Sequence, residues 1–308
     1  MKQRYRLILA LAATTATVAI VGAGCKATQV ATRTATTVGV ATGKIDPQQA
    51  EAINRTTAAF AKAFEDITPE QEYYLGRAVT ATLLGTHNVF DHEAATDYIN
   101  RLGAALALHS DMPETFNGYH FAVMDTDEIN AFAAPGGFIL ISRGLLRCCP
   151  NEEAVAAVLA HEIAHVQHRH GLRAIKTGRW SGAAQTAFIE SARTLGSAQV
   201  AALTSAMEGS IGDITDTLVN SGYSRRQERE ADQSAIEIMV RAGYNPRGLH
   251  LMLAEMGERL TDYPGGFGAT HPSPADRIRD IRSQLRNVPE IEPHPERERR
   301  FRAALSGI

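Results

Sequence analysis

Two histidines lie four positions apart in the run His161-Glu162-Ile163-Ala164-His165, with a glutamate beside the first. One turn of an α-helix takes about 3.6 residues, so in a helix both imidazoles point the same way and can reach one ion. Zinc held by three protein ligands keeps a position for water, lowers the pKa of that water toward about 7 and polarises a carbonyl. Glu162 can take the proton of that water and pass it to a leaving amine. The run therefore predicts a zinc site with its own general base.

The residues before this run predict the helix that the site needs. Residues 153–160 are rich in strong helix formers and end in apolar residues, as expected of a buried helix. Asn151 suits the N-cap position, and Glu152 and Glu153 then lie in the positively polarised first turn.

The third zinc ligand must come from another segment. Metzincins would have glycine at 168 and histidine at 171, whereas this chain has His168 and Gly171, so that class is excluded. A zincin with a glutamate ligand needs a carboxylate on a second helix, and the run 224–232 offers Glu228. Asp232, one helical turn further, can accept a hydrogen bond from the far nitrogen of a ligand histidine. The same charged run is also compatible with an ordinary surface helix.

Four segments, taken in order, resemble the HtpX and BepA type of zinc metallopeptidase, from the superfamily that also holds the CAAX prenyl endopeptidases. They are residues 129–137, 161–170, 224–232 and 270–277, within a similarity that covers roughly residues 68–286. Carried over position by position, the family's zinc ligands fall on His161, His165 and Glu228. Its general base falls on Glu162, and Asp232 lies behind a ligand histidine.

His271 and Arg277, in the fourth segment, have open roles. His271 lies in a loop punctuated by Gly and Pro, where a side chain can be aimed at a cleft. In BepA-like relatives the equivalent histidine can approach the metal, which implies that it blocks the site or steadies the oxyanion; a turn-stabilising role is the alternative. We count it with Glu162 as a candidate catalytic residue. Arg277 is a candidate substrate contact, or else half of a surface ion pair.

Residues 130–141 form a short apolar segment interrupted by Pro135-Gly136-Gly137, a pattern tolerated at a sheet edge but not in a central strand. An edge strand in zincins can hold an extended peptide by strand addition. The resemblance therefore implies substrate contacts at Asn130, Ala131, Phe132 and Ala133. A plain hairpin packed under the helix is the alternative.

The remaining histidines and cysteines of this region are predicted to be structural. The backbone of His168 would lie roughly 10 Å from that of His161, too far along the helix for one ion to bind both comfortably with His165. His170 is expected to pack or to bond near the helix end. Cys148 and Cys149 are adjacent, with Cα atoms about 3.8 Å apart, too close for an ordinary disulfide between them.

The N-terminus predicts secretion. Basic residues precede an apolar stretch at 7–21, as in a signal peptide, and this stretch is shorter than the roughly 20 residues of a spanning helix. Ala23-Gly24-Cys25 resembles a bacterial lipobox, which would make Cys25 the lipidated first residue. Gly22 stands where leucine is usual and leaves ordinary cleavage as an alternative. Lys26 then favours the outer membrane, facing the periplasm.

Composition divides the chain into a signal peptide (1–24), an Ala/Thr-rich lipidated tether (25–44), a zinc metallopeptidase domain (45–286) and a charged tail (287–308). Residues 182–219, between the two ligand helices, are predicted to form a lid. The net charge of −3 gives no sign of nucleic-acid binding. The tetratricopeptide array of BepA has no counterpart in this sequence.

Hydrophobic periodicity predicts helices at 47–67, 69–84 and 92–108, a strand at 119–125, and more sheet over 130–141. We expect an α+β, mainly helical, zincin-like domain with a small sheet whose edge strand flanks the active-site helix.

Together these features predict a periplasmic zinc endopeptidase with one zinc per chain, anchored by lipid to the outer membrane. Histidine with one carboxylate favours zinc over manganese or cobalt. Its expected partners are unfolded or misassembled envelope proteins, because backbone pairing at a strand edge is independent of sequence. The alternatives are a chaperone-like binding protein with a latent or structural zinc site, and a metal-buffering lipoprotein that uses the histidines at 161, 165, 168 and 170.

Overall fold

The computed structural model describes residues 67–175, 209–259, 270–286 and 294–308, with isolated positions at 37, 40–43, 47, 288 and 291–292. The chain divides into two units, Met1–Thr68 with Thr177–Gln199 and Pro69–Lys176 with Val200–Ile308. The second unit carries the residues of the predicted metal site. The expected signal peptide, the lipidation site Cys25, the helix at 47–67 and residues 182–208 of the expected lid lie outside the described residues, apart from positions 37, 40–43, 47 and 67.

Helices make up most of the described residues of the second unit. Those with both ends described are α1 (Pro69–Leu84), α2 (Glu93–Ala107), α3 (Arg143–Leu146), α4 (Glu152–Gln167), α5 (His170–Arg173), α6 (Arg225–Arg241), α7 (Arg247–Arg259), α8 (Pro274–Leu285) and α9 (Pro295–Ala304). The predicted helices at 69–84 and 92–108 are confirmed as α1 and α2. Among the described helices, none combines the length and the hydropathy that a bilayer crossing requires.

A small sheet contains β1 (His120–Met124), β2 (Ala131–Ala134) and β3 (Phe138–Ser142), in the order β1-β3-β2. β3 pairs in parallel with β1 and antiparallel with β2. The segment 130–141 is therefore a hairpin, in which Pro135–Gly137 forms the turn instead of interrupting a single strand. Its first half is the predicted edge strand, and its second half is the central strand, because the turn folds the segment back on itself.

The helix with the histidine pair runs through the centre of the core. Every residue of α4 from Glu152 to Val166 is buried, and α2, α6, α7 and β2 pack around it. The alanine- and valine-rich sequence of α4 is apolar around most of the circumference, as expected of a helix that is covered on all sides. The predicted N-cap is confirmed, since the Asn151 side chain accepts a hydrogen bond from the Ala154 N–H at 3.0 Å.

Two close approaches fix the surroundings of α4. A Cβ atom added to Gly76 would lie 1.7 Å from the Pro135 carbonyl oxygen, so only glycine lets α1 pass this close to the β2–β3 turn. At the other end, α9 packs on the start of α4: Arg297 Nη1 lies 2.9 Å from Glu153 Oε1, and Arg300 Nε lies 2.6 Å from Glu152 Oε2. The charged residues of the C-terminal segment thus pair with the two acidic residues of the first turn of α4.

Candidate metal centre

Four buried side chains converge above the middle of α4. His161, His165, Glu228 and His271 each present one ligand atom, and these atoms all lie within 4.8 Å of one another. The first two come from α4, Glu228 comes from α6, and His271 comes from the loop before α8. Two distant helices therefore bring the predicted ligands together.

The distances within this cluster suit one tetrahedral ion. His161 Nε2 lies 3.1 Å from His165 Nε2, and the Glu228 carboxylate lies 3.7 Å from His161 Nε2 and 3.4 Å from His165 Nε2. Ligand atoms at about 2.0–2.2 Å from a tetrahedral zinc lie roughly 3.3–3.6 Å from each other. His161, His165 and Glu228 are thus positioned to bind a metal.

The start of α6 holds Glu228 in place. Ser224 and Gln227 form a capping box, in which the Ser224 hydroxyl accepts from the Gln227 N–H and the Gln227 side chain accepts from the Ser224 N–H. This pair fixes the first helical turn, and Glu228 follows directly. The carboxylate also lies near the positive end of the helix dipole, which favours its anionic form.

Asp232 lies behind His161, on the side away from the cluster. His161 Nδ1 is 3.0 Å from Asp232 Oδ1, the arrangement that the sequence analysis predicted for a ligand histidine. Arg277 holds the same carboxylate at two points, with Nη2 2.5 Å from Oδ1 and Nε 3.1 Å from Oδ2. Burial alone would raise the pKa of Asp232, but Arg277 and His161 lower it to about 2.

Arg277 itself is not where the sequence analysis expected a substrate contact. Its side chain is 2% exposed and forms its ion pair with Asp232 on the far side of His161. The alternative of a surface ion pair is wrong in its location as well, because the pair is buried. The reason is that α8 packs against α6, so that Arg277 reaches Asp232 across the helix interface.

His165 has partners that the sequence analysis missed. Its Nδ1 lies 2.9 Å from Nδ1 of His170, and His170 Nε2 lies 3.2 Å from Glu230 Oε2. The ring of Tyr223 stacks on the His165 ring at 4.3 Å between centroids and an angle of 19°. His168, in contrast, bonds to the Ser234 hydroxyl at 2.8 Å and contacts none of the predicted ligands among the described residues, as its structural role predicts.

The protonation states of the cluster suit a metal site. Burial lowers the pKa of His161 and of His165, which keeps both imidazoles neutral and able to bind a metal. Burial alone would raise the pKa of Glu228, but His271 and His165 hold it well below its ordinary value. His271 Nδ1 lies 2.8 Å from Glu228 Oε2, so this histidine bonds to the carboxylate of a predicted ligand.

Glu162 lies beside the histidine pair with an unsatisfied carboxylate oxygen. Within the described part of the chain, its Oε1 and the Tyr223 hydroxyl are buried without a hydrogen-bond partner. Burial raises the pKa of Glu162, which brings a carboxyl group closer to the range useful for proton transfer. Buried polar groups are rarely left without partners, and Glu162 and Tyr223 line the same small cavity, so both atoms are available to a ligand there.

A small space lined by described residues lies beside Glu162. A cavity of about 10 Å³ lies between β2 and a cover that includes Leu218, Thr270 and His271, with Glu162 and Tyr223 in its walls. That volume is close to the minimum for one water molecule. Leu218 belongs to the turn of helix at Thr217–Ser221, in the described end of the segment that was predicted to be a lid.

Cys148 and Cys149 are both buried and free. The prediction that they do not bond to each other is confirmed.

Comparison with known proteins agrees with this geometry. The sequence model of Peptidase family M48 matches residues 93–285. The Beta-barrel assembly-enhancing protease of Escherichia coli (strain K12) is 29% identical over 254 residues, which are 80% of this chain and 50% of that protein. Metalloprotease LoiP of the same organism is 26% identical over 194 residues, 62% of this chain and 72% of the relative.

A eukaryotic relative is similar over a shorter region. The Mitochondrial metalloendopeptidase OMA1 of Schizosaccharomyces pombe is 31% identical over 167 residues, 51% of this chain and 43% of that protein. The chain spans about half the length of the assembly-enhancing proteases that it matches.

Proposed function

This chain belongs to peptidase family M48, and from that premise we propose that it is a zinc-dependent endopeptidase in which His161, His165 and Glu228 hold the metal. The observation that carries the proposal is the convergence of these three side chains, from two helices, at distances that suit one tetrahedral ion. The orphaned oxygen of Glu162 beside them supports a hydrolytic site over a purely structural one.

Each residue of the site has a step in peptide hydrolysis. A zinc ion bound here would polarise the scissile carbonyl and acidify the attacking water. Glu162 accepts the proton of that water and delivers it to the departing nitrogen. Asp232 keeps His161 in the tautomer and orientation that binding requires, and Arg277 in turn holds Asp232. The buried walls exclude bulk water from the reacting groups.

The edge of β2 that faces away from β3 has no strand partner among the described residues, and it suits an extended polypeptide. The Ser142 N–H donates to the Asn130 carbonyl, so bonded and non-bonded pairs alternate from this point along the hairpin. By this alternation the backbone groups of Ala131 and Ala133 point away from β3, and both residues line the cavity beside Glu162. The Ala131 N–H already donates to Asn130 Oδ1 at 2.9 Å, so a substrate strand would displace that contact. We propose that Asn130, Ala131, Phe132 and Ala133 hold a substrate strand. Such pairing reads the backbone alone and therefore favours unfolded chains.

We propose that the resting site is closed. A cavity of about 10 Å³ cannot admit a peptide, so Leu218, Thr270 and His271 must move before a substrate strand reaches β2. The hydrogen bond between His271 and Glu228 supports a blocking role for this histidine. Residues 182–219 would act as the lid, with Leu218 in its described end.

The cellular role is proposed from the leader sequence and the relatives. One relative is named a Beta-barrel assembly-enhancing protease, and we propose misassembled or unfolded envelope proteins as the substrate class. The signal peptide at 1–24, the tether at 25–44 and the lipobox at Cys25 favour an anchor in the outer membrane, facing the periplasm. Incorporation of labelled fatty acid into the wild type, and its loss in Cys25→Ala, would test the anchor.

Casein digestion tests the enzymatic proposal. Purified protein loaded with zinc should cleave casein, and Glu162→Gln should keep the zinc and lose cleavage. Glu258→Gln, at an exposed position on α7, is the matched control and should cleave normally. If neither the wild type nor Glu162→Gln cleaves while both prevent aggregation of an unfolded client equally, the chaperone alternative replaces the protease.

A further inference from the structure

We propose that His170 is a positioning residue for the metal centre: it orients the ligand His165 and ties it, through Glu230, to the helix that carries Glu228. The inference rests on the proposed metal site but not on proteolysis. Neither the resemblance nor the family match assigns a role to this histidine, and helical spacing did not connect it to the site.

Two hydrogen bonds link His165, His170 and Glu230, and we call this arrangement the relay. His165 Nδ1 lies 2.9 Å from His170 Nδ1, and His170 Nε2 lies 3.2 Å from Glu230 Oε2. The other ring nitrogen of His165, Nε2, faces Glu228 and His161. His165 therefore has one nitrogen in the cluster and the other bound to the protein.

These contacts fix where the protons lie. A metal-binding Nε2 has no proton, so Nδ1 of His165 carries one and donates it to Nδ1 of His170. His170 then carries its own proton on Nε2 and donates it to the Glu230 carboxylate. Arg226 anchors this carboxylate from the same helix, with Nη2 2.9 Å from Glu230 Oε1. In this pair of hydrogen bonds each ring proton has one acceptor, and this selects one tautomer of His165 and one of His170.

The backbone makes an unusual turn to place His170 there. A residue five positions beyond His165 would lie about 140° around a continuous helix and could not face it. α4 ends at Gln167, and Arg169 adopts φ 52°, the only positive φ at a non-glycine residue in the described part of the chain. This left-handed residue turns the chain back, so that α5 begins with His170 against His165.

Side-chain contacts hold the turn and both rings. Arg169 Nε lies 3.2 Å from the buried Glu72 carboxylate on α1, an ion pair that helps maintain the left-handed conformation. Tyr223 stacks on His165, and His168 stacks on His170 at 5.3 Å and 19°. These stacking contacts restrict the rotation of the His165 and His170 rings. The orientation of each ring is therefore fixed as well as its tautomer.

The same helix serves both ligand histidines. Asp232 of α6 accepts a hydrogen bond from His161 Nδ1. Glu230 of α6 accepts one from His170, which in turn bonds to His165. Glu228 lies one turn before Asp232 on that helix, so α6 supplies one ligand and the carboxylates that orient the other two. Loss of such a supporting partner typically costs about 10–100-fold in metal affinity.

The test is zinc affinity, measured by competition with a chromophoric chelator, in three variants of His170. Asn places its side-chain oxygen where Nδ1 was and can still accept from His165. Gln reaches toward Glu230 but removes the acceptor for His165, and Leu removes both contacts. His250→Asn, at an exposed position on α7, is the matched control, because it changes a histidine outside the cluster and its supporting contacts.

We expect zinc affinity to fall about 10–100-fold in His170→Leu and His170→Gln, with recovery to within about threefold of the wild type in His170→Asn. Cobalt-loaded His170→Leu should also show a shifted visible absorption spectrum, whereas His250→Asn should match the wild type. Thermal unfolding of the metal-free proteins reports folding separately. Wild-type zinc affinity in folded His170→Leu, or retention by Gln with loss in Asn, would overturn the proposal. Absence of casein cleavage by the wild type would refute the protease and leave this result unaffected.

Discussion

Nδ1 of His271 lies 2.8 Å from Oε2 of Glu228, so a loop histidine is hydrogen-bonded to the carboxylate that the proposed zinc ion needs. The contact joins the segment before α8 to α6 directly over the cluster. His271 also forms part of the lining of the small cavity beside Glu162. In the proposed closed state, a peptide reaches the site only after this contact opens.

Replacement of His271 by alanine should raise casein cleavage several-fold, because the block over Glu228 is removed while the three ligands remain. Initial rates at saturating zinc provide the measurement. His250→Ala, at an exposed position on α7, should leave the rate unchanged. A fall in rate instead would favour the oxyanion role of His271, and no change in rate or zinc affinity would exclude both roles.

Replacement of Arg277 by methionine should destabilise the protein by about 3–5 kcal/mol, because it leaves the buried Asp232 carboxylate without its ion-pair partner. Urea unfolding of the metal-free protein is the measurement. Arg279→Met, on the same helix with its side chain 68% exposed, should cost less than about 0.5 kcal/mol. If Arg277→Met kept its stability and only raised KM for casein, Arg277 would be a substrate contact after all.

The stability of the metal-free protein should fall as acid protonates Asp232. Its pKa is about 2 in the folded protein, against about 3.9 in an unfolded chain. A carboxylate with a lowered folded pKa stabilises the fold above pH 4 and loses that contribution as the pH falls toward 2. The loss between pH 5 and pH 2 should be about 2 kcal/mol greater in the wild type than in Asp232→Asn. The exposed Asp280→Asn should follow the wild type; equal slopes for all three proteins would contradict the low pKa.

Gly76→Ala should disrupt the support of the edge strand. The new Cβ would meet the Pro135 carbonyl oxygen at 1.7 Å, so α1 or the β2–β3 turn must shift. We expect a loss of about 3 kcal/mol or more in urea unfolding, with a higher KM for casein. Gly212→Ala, which has open space around it on a helix, should be neutral or slightly stabilising. Similar stability of the two variants would show that the close approach does not constrain the turn.

Local patterns predicted the parts of this site that lie on one helix. The i, i+4 spacing of His161 and His165 and the Asn151 cap depend only on helical geometry, and both are found in α4. The meeting of α4 with α6 is a tertiary contact, and only the resemblance indicated it. For the same reason the sequence could name Glu228 as a candidate but could not exclude a surface helix.

Other features were missed because they depend on contacts between segments distant in the chain. The role of His170 needs a left-handed turn at Arg169, which no propensity predicts for arginine. The ion pair of Arg277 with Asp232 was missed because the two residues are 45 positions apart in the sequence. Without that partner, Arg277 was expected near the substrate. For residues 130–141 the sequence allowed both an interrupted edge strand and a hairpin, and local signals did not decide between them; the structure has the hairpin, with Pro135–Gly137 as its turn.

Diffraction data recorded on both sides of the zinc absorption edge would locate the metal directly. We expect one anomalous peak per chain, about 2.0–2.2 Å from Nε2 of His161, Nε2 of His165 and a carboxylate oxygen of Glu228. A zinc-loaded crystal with no peak at this position, or with the Glu228 carboxylate turned away from the two imidazoles, would contradict the proposed catalytic centre.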